Sequence, residues 1–154
     1  LRAQAKAKGY KITNIFLTHG HPDHVNGLDD LLSTHDVPVY ISKHEAAFYT
    51  PQCKNLHKVA DRETLKIGKI QFECFLTPGH TPGGMSVYVG DCVFSGDTLF
   101  AGSVGRTDFP GSSFSALKRS IEDKLYVLPA NTRVYPGHMD YTTIGTEKEQ
   151  NPFV

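Results

Sequence analysis

Apolar positions recur along the chain at two spacings, one suited to strands and one to helices. Residues 12–17 form a β-rich run that ends at Thr18, which predicts a buried strand feeding a loop. Residues 23–32 place Val25, Leu28, Leu31 and Leu32 on one face at helical spacing. A second strand is predicted over 37–41, led by Pro38, and a short helix over 43–49, stopped by Pro51. Residues 64–76 read as two strands around a turn at Gly68, with Ile70, Phe72 and Cys74 on one face of the second. Residues 86–89 and 92–95 form a hairpin about Gly90-Asp91. The longest stripe, Leu117, Ile121, Leu125 and Leu128, predicts an amphipathic helix over 113–128. A strand over 133–135 and one helical turn over 146–150, before Pro152, follow. At the other end, residues 1–8 read as the tail of a helix, rich in alanine and stopped by Gly9. Strands that alternate with helices indicate an α/β layered domain.

Composition narrows the setting. At 154 residues and 39% hydrophobic, the chain suits one domain with a true core. Lys plus Arg number 16 and Asp plus Glu number 16, so no basic field calls for nucleic acid or anionic lipid. No apolar run approaches membrane-spanning length. Cys53, Cys74 and Cys92 are odd in number and form no Cys-x-x-Cys pair, which argues against a disulfide framework or a thiolate metal site. A reducing, cytoplasmic location is expected.

Seven side chains then change the picture. Thr18-His19-Gly20-His21-Pro22-Asp23-His24 carries four candidate metal ligands. His80, in Thr77-Pro78-Gly79-His80-Thr81-Pro82-Gly83, Asp97, in Ser95-Gly96-Asp97-Thr98, and His138, in Tyr135-Pro136-Gly137-His138, supply three more. Imidazole and carboxylate together suit a borderline cation such as zinc, with iron or manganese as the other metals for such a donor set. Ligands two and three residues apart cannot share a helix face, so a tight turn shaped by Gly20 and Pro22 is expected. Each of the other three sites follows a predicted strand, a rigid place from which to aim a ligand. A metal pair with an open position makes hydroxide at neutral pH, the nucleophile of a hydrolase. His35, His44 and His57 stand outside these motifs and read as ordinary surface or core histidines. No dinucleotide or P-loop motif is present, and Ser86 and Ser95 lack the context of a serine nucleophile.

At these residues the chain resembles the metallo-β-lactamase superfamily and, within it, the glyoxalase II-like hydrolases. The strings Gly96-Asp97-Thr98-Leu99-Phe100, Gly105-Arg106-Thr107-Asp108 and Thr142-Thr143-Ile144-Gly145 are similar to those of small bacterial single-domain members. The resemblance implies a four-layer αββα sandwich with two zinc ions at one edge of its sheets. It implies that His19, His21 and His80 hold one ion, that Asp23, His24 and His138 hold the other, and that Asp97 and a hydroxide bridge them. The family fold begins with strands upstream of the first His motif. Residues 1–154 are therefore expected to form an N-terminally incomplete domain lacking those strands, preceded in the natural protein by a further segment. The C-terminal helical domain with which longer glyoxalase II enzymes grip glutathione has no match within residues 1–154. Met139 stands where family members usually carry Gly.

The function implied is hydrolysis of a small thioester such as S-lactoylglutathione, with Asp23 and Asp97 at the catalytic centre. Arg106 is a candidate for pairing a substrate carboxylate, its alternative role being an ion pair with Asp108. A rival is an iron-dependent persulfide dioxygenase, since such relatives share the Gly-Arg-Thr-Asp-Phe string at 105–109 and an Asp-Tyr like Asp140-Tyr141. A non-catalytic metal-binding scaffold and an RNA-processing enzyme are the remaining branches, and neutral charge speaks against the last.

Overall fold

The computed structural model describes residues 2–154 and opens with the short helix α1 (Arg2–Ala7), within the helical stretch predicted over 1–8, whose first residue lies outside the described ones. Three short strands, β1 (Ile15–Phe16), β2 (Val39–Ser42) and β3 (Leu56–Val59), pair in parallel in that order. Six strands form a second, mixed sheet. They are β4 (Glu63–Ile67), β5 (Ile70–Leu76), β6 (Met85–Val89), β7 (Cys92–Gly96), β10 (Arg133–Pro136) and β11 (Thr142–Thr143). Their order is β11-β10-β7-β6-β5-β4, and only the β7–β10 pairing is parallel. A two-stranded hairpin, β8 (Leu99–Phe100) with β9 (Ser103–Val104), stands apart.

Alternation along the strands builds three cores, and the cores define the layers. On β2, Val39 and Ile41 pack with Leu17, Leu28 and Ala46, beneath the short helices α2 (Pro22–Val25) and α3 (Leu28–Leu32). Tyr40, on the opposite face, joins Phe16, Val59, Phe72, Cys74, Met85 and Val87 between the two sheets. On β5 the neighbour of Cys74, Phe75, points the other way. There it packs with Val93 and Val134 against Leu117, Ile121 and Leu125. These three come from the helix α4 (Phe114–Ser120) and the π-turn that continues it over Ile121–Leu125. The last helix, α5 (Ile144–Gln150), adds Ile144 to the same core. The order helix, sheet, sheet, helix is the expected αββα sandwich. Each fully buried aliphatic side chain here is worth about 1.5–3 kcal/mol.

Several elements differ from the pattern reading. The helix predicted over 23–32 is broken at Asn26–Gly27 into α2 and α3. The 43–49 segment makes one 3₁₀ turn, Glu45–Ala47, and the first strand shrinks to Ile15–Phe16. The 113–128 helix switches to π geometry at Ile121, where Tyr126 N–H donates to the Ile121 carbonyl at 2.8 Å. That wider turn lets both Leu125 and Tyr126 face the core. Helix α5 starts at Ile144, two residues early, because Thr143 caps it by accepting from Thr146 N–H at 3.2 Å. Strands β3, β8, β9 and β11 have no counterpart in the apolar pattern. No helix among the described residues is long and apolar enough to cross a membrane.

Candidate metal centre

The seven sequence candidates arrive from separate strand ends. His19 and His21 lie in the loop after β1, and Asp23 and His24 on the first turn of α2. His80 lies in the loop after β5, Asp97 follows β7 directly, and His138 stands two residues past the end of β10. The ends of both sheets therefore converge on one edge of the sandwich. The Gly96–Asp97 turn is tight: Gly96 has φ +51° and its Cα faces Thr18, where an added Cβ would stand 2.6 Å from the Thr18 side chain.

Three overlapping groups result, the ligand atoms within each lying within 4.8 Å of one another: His19, His21 and His80; His19, His24 and Asp97; Asp23, His24 and His138. His80 Nε2 is 2.9 Å from His21 Nδ1 and 3.4 Å from Asp97 Oδ2. His138 Nε2 is 3.2 Å from Asp23 Oδ2 and 3.4 Å from Asp97 Oδ2. Asp97 thus stands between the first and third groups. His19, His80 and Asp97 are buried, whereas Asp23 and half of His138 face solvent. His35, His44 and His57 join none of these groups.

Surrounding atoms fix the rings. His80 Nδ1–H donates to the Arg106 carbonyl at 2.7 Å, which leaves Nε2 as the free lone pair facing the centre. His19 Nδ1 meets Thr18 Oγ1 at 3.2 Å, and its Nε2 faces inward likewise. Burial, then the neighbouring His24, lower the His19 pKa from 6.5 to about 3, so this ring stays neutral. Burial and His80 lower His21 as well. The 3.3 Å approach of Asp97 raises His24. Burial pushes the Asp97 carboxyl upward, but His24 and the other imidazoles outweigh it and hold the group ionised below its usual range.

A cation fits this donor set. His19 Nε2, His24 Nε2 and Asp97 Oδ1 are buried with no hydrogen-bond partner; the last two face each other at 3.3 Å, a charge contact without hydrogen-bond alignment. Such orphaned atoms are costly unless another group meets their lone pairs. Neutral imidazoles and ionised carboxylates are also the forms that bind metal.

The surroundings hold groups that sequence reasoning passed over. A cavity of about 240 Å³ opens onto His21, Asp23, His80, Asp97 and His138, walled by Phe100, Phe109 and Arg106. Phe109 presents its ring to His21 and His80, at centroid distances of 5.4 and 5.8 Å. It belonged to the string at 105–109, which was the available signal. The Arg106 guanidinium forms a two-point ion pair with Asp108, at 3.0 and 2.7 Å, and lies 4.7 Å from the Phe109 ring centre. Met139 takes φ +68°, the left-handed region that favours Gly.

The sequence profile of the metallo-β-lactamase superfamily matches residues 1–138, most of the chain. The chain belongs to that superfamily. Among curated relatives it is similar to the probable metallo-hydrolase YqgX of Bacillus subtilis, 38% identical over 97% of this chain and 79% of that protein. Among solved structures it is similar to the B3 metallo-β-lactamase BLEG-1, at TM-score 0.88 and 35% identity over 99% of this chain and 81% of that one. TTHA1623 in a di-iron-bound form gives TM-score 0.88 and 35% identity over 99% and 83%. ETHE1 from Myxococcus xanthus gives TM-score 0.86 and 33% identity over 98% and 66%.

Proposed function

We propose that this chain is a metal-dependent hydrolase that cleaves small thioesters of the hydroxyacylglutathione type, with two zinc ions in its site. The observation that carries this reading is the convergence of seven donors from separate strand ends, three of whose buried atoms have no partner. His19, His21 and His80 would hold one ion and Asp23, His24 and His138 the other, with Asp97 shared. When bound, such a pair supplies a water-derived nucleophile at neutral pH and polarises a carbonyl oxygen. Similarity to a probable metallo-hydrolase and to a protein seen with two irons supports a dinuclear hydrolytic site.

The chain's own residues supply the rest. Asp23 and Asp97 bring two negative charges to a centre otherwise built of imidazoles. The Arg106 carbonyl fixes the His80 tautomer. Phe100 and Phe109 line an opening of about 240 Å³, smaller than the roughly 300–1,000 Å³ of a drug-sized pocket. Only the acyl end of a substrate enters; the thiol portion stays at the mouth. There Arg106 can exchange Asp108 for a substrate carboxylate, because both partners of that ion pair are exposed. Hydrolysis adds water across the C–S bond and releases a carboxylate and a thiol.

The test is turnover of S-lactoylglutathione and simpler thioesters by protein loaded with zinc to two equivalents. Loaded protein that hydrolyses no thioester would remove this reading. An iron-dependent persulfide dioxygenase is the second reading, favoured by the string at 105–109. One bound iron, with oxygen consumption on a glutathione persulfide, would select it.

A further inference from the structure

We infer that Glu45 is a positioning residue for the histidine cluster, clamping the loop of His19 and His21 to the loop of His80. Glu45 opens the 3₁₀ turn after β2 and is 3% exposed. Its Oε1 accepts from the Gly20 N–H at 2.8 Å, the peptide between His19 and His21. Its Oε2 accepts from Thr81 Oγ1 at 2.8 Å and from the Gly83 N–H at 3.2 Å, just after His80. Ser42 completes the tie: its Oγ donates to the Gly83 carbonyl and accepts from the Glu45 N–H at 3.0 Å. The clamp is closely packed, since a Cβ on Gly83 would run into the Glu45 backbone.

The charge is the telling feature. A buried carboxylate costs several kcal/mol unless it is paired. Among the described residues no Lys or Arg pairs with Glu45; its partners are two peptide N–H groups and one hydroxyl. A neutral Gln could bridge two loops, yet it would turn an amide N–H toward at least one of these donors. An anion here instead faces the side of the fold where five imidazoles converge, and where the proposed ions would place positive charge. Glu45 touches no candidate ligand atom, so its effect passes through the two loops and through space. The inference rests on the metal-centre reading above.

Cobalt(II) titration separates the two. Wild type, E45Q and E147Q are titrated with cobalt in competition with a chelator, recording the visible ligand-field spectrum and the thermal unfolding of each metal-free protein. Glu147 is the comparison: also buried, it accepts from Thr142, the Gly102 N–H and Asn151, away from the histidine loops. The expected result is a cobalt affinity about 10–100-fold weaker in E45Q, with an altered spectrum. E147Q should lose thermal stability while keeping the wild-type affinity and spectrum. If E45Q does not fold, T81V removes one clamp bond and should weaken cobalt about tenfold. Wild-type affinity and spectrum in E45Q, or in T81V where E45Q cannot be read, would overturn the inference and leave the metal centre standing. Wild type that takes up no cobalt would overturn both.

Discussion

Replacing Gly137 by Ala adds one methyl group at the point where the loop after β10 meets the site. The backbone of Gly137 is held by its N–H bond to the Gly96 carbonyl at 2.9 Å, so the loop cannot simply swing away. The new Cβ would meet Asp97 Oδ1, stand 2.6 Å from His24 Cε1 and lie 3.4 Å from the Gly96 carbonyl carbon. An ordinary contact needs 3.4–4 Å, so two candidate ligands must yield by close to an ångström. Overpacking of this kind costs about 1–3 kcal/mol. For a chain of this size that corresponds to a fall in Tm of about 3–9 °C in the metal-free protein. Displacing His24 and Asp97 should also weaken zinc about 10–100-fold, the scale seen when groups supporting metal ligands are disturbed. Gly27→Ala is the control: nothing lies within 4 Å of its added Cβ, and it should leave both quantities near wild type. The assay is calorimetry of metal-free protein with a chelator-competition titration. Wild-type Tm and zinc affinity in G137A would refute the packing of this loop against Asp97 and His24.

Three further outcomes are expected. Met139→Gly relieves a left-handed φ of +68° at an exposed residue, worth about 1–2 kcal/mol, against roughly 0.5–1 kcal/mol of unfolded-state entropy; a Tm equal to or below wild type would contradict it. In metal-free protein, His19 is neutral down to about pH 3, so the fold loses stability as pH falls below 6.5, by roughly 2 kcal/mol at pH 5. Asp97, held low, adds to the loss only at still lower pH, whereas the raised His24 favours the fold below pH 6.5 and loses that contribution as pH rises through its folded value. Urea unfolding of wild type and H19Q at several pH values checks this, and parallel curves would count against a buried neutral His19. Arg106→Ala should raise KM about tenfold for a thioester bearing a carboxylate and leave a neutral thioester unchanged; equal effects on both would remove the substrate role.

The site was more legible in the sequence than the framework around it. Metal-ligand candidates are polar residues at fixed short spacings, and strands ending at β5, β7 and β10 could be read from apolar runs. The stripe Leu117, Ile121, Leu125 also landed in the core, because burial depends on which face a residue takes more than on the turn type. What escaped depended on tertiary partners. Strand β3 carries His57 and Lys58 at its centre, and only pairing with β2 makes it a strand. The break at Asn26–Gly27 is forced by holding Asp23 and His24 at the site while Leu28 and Leu31 reach the core. Nothing in the local sequence marks Glu45, because its partners at Gly20, Thr81 and Gly83 are far away along the chain.

Anomalous diffraction from crystals soaked in zinc, recorded on both sides of the zinc edge, addresses the metal centre most directly. Two peaks are expected, one among His19, His21 and His80 and one among Asp23, His24 and His138, with Asp97 reaching both. No peak within reach of these seven side chains, or zinc bound only elsewhere on the surface, would contradict the account.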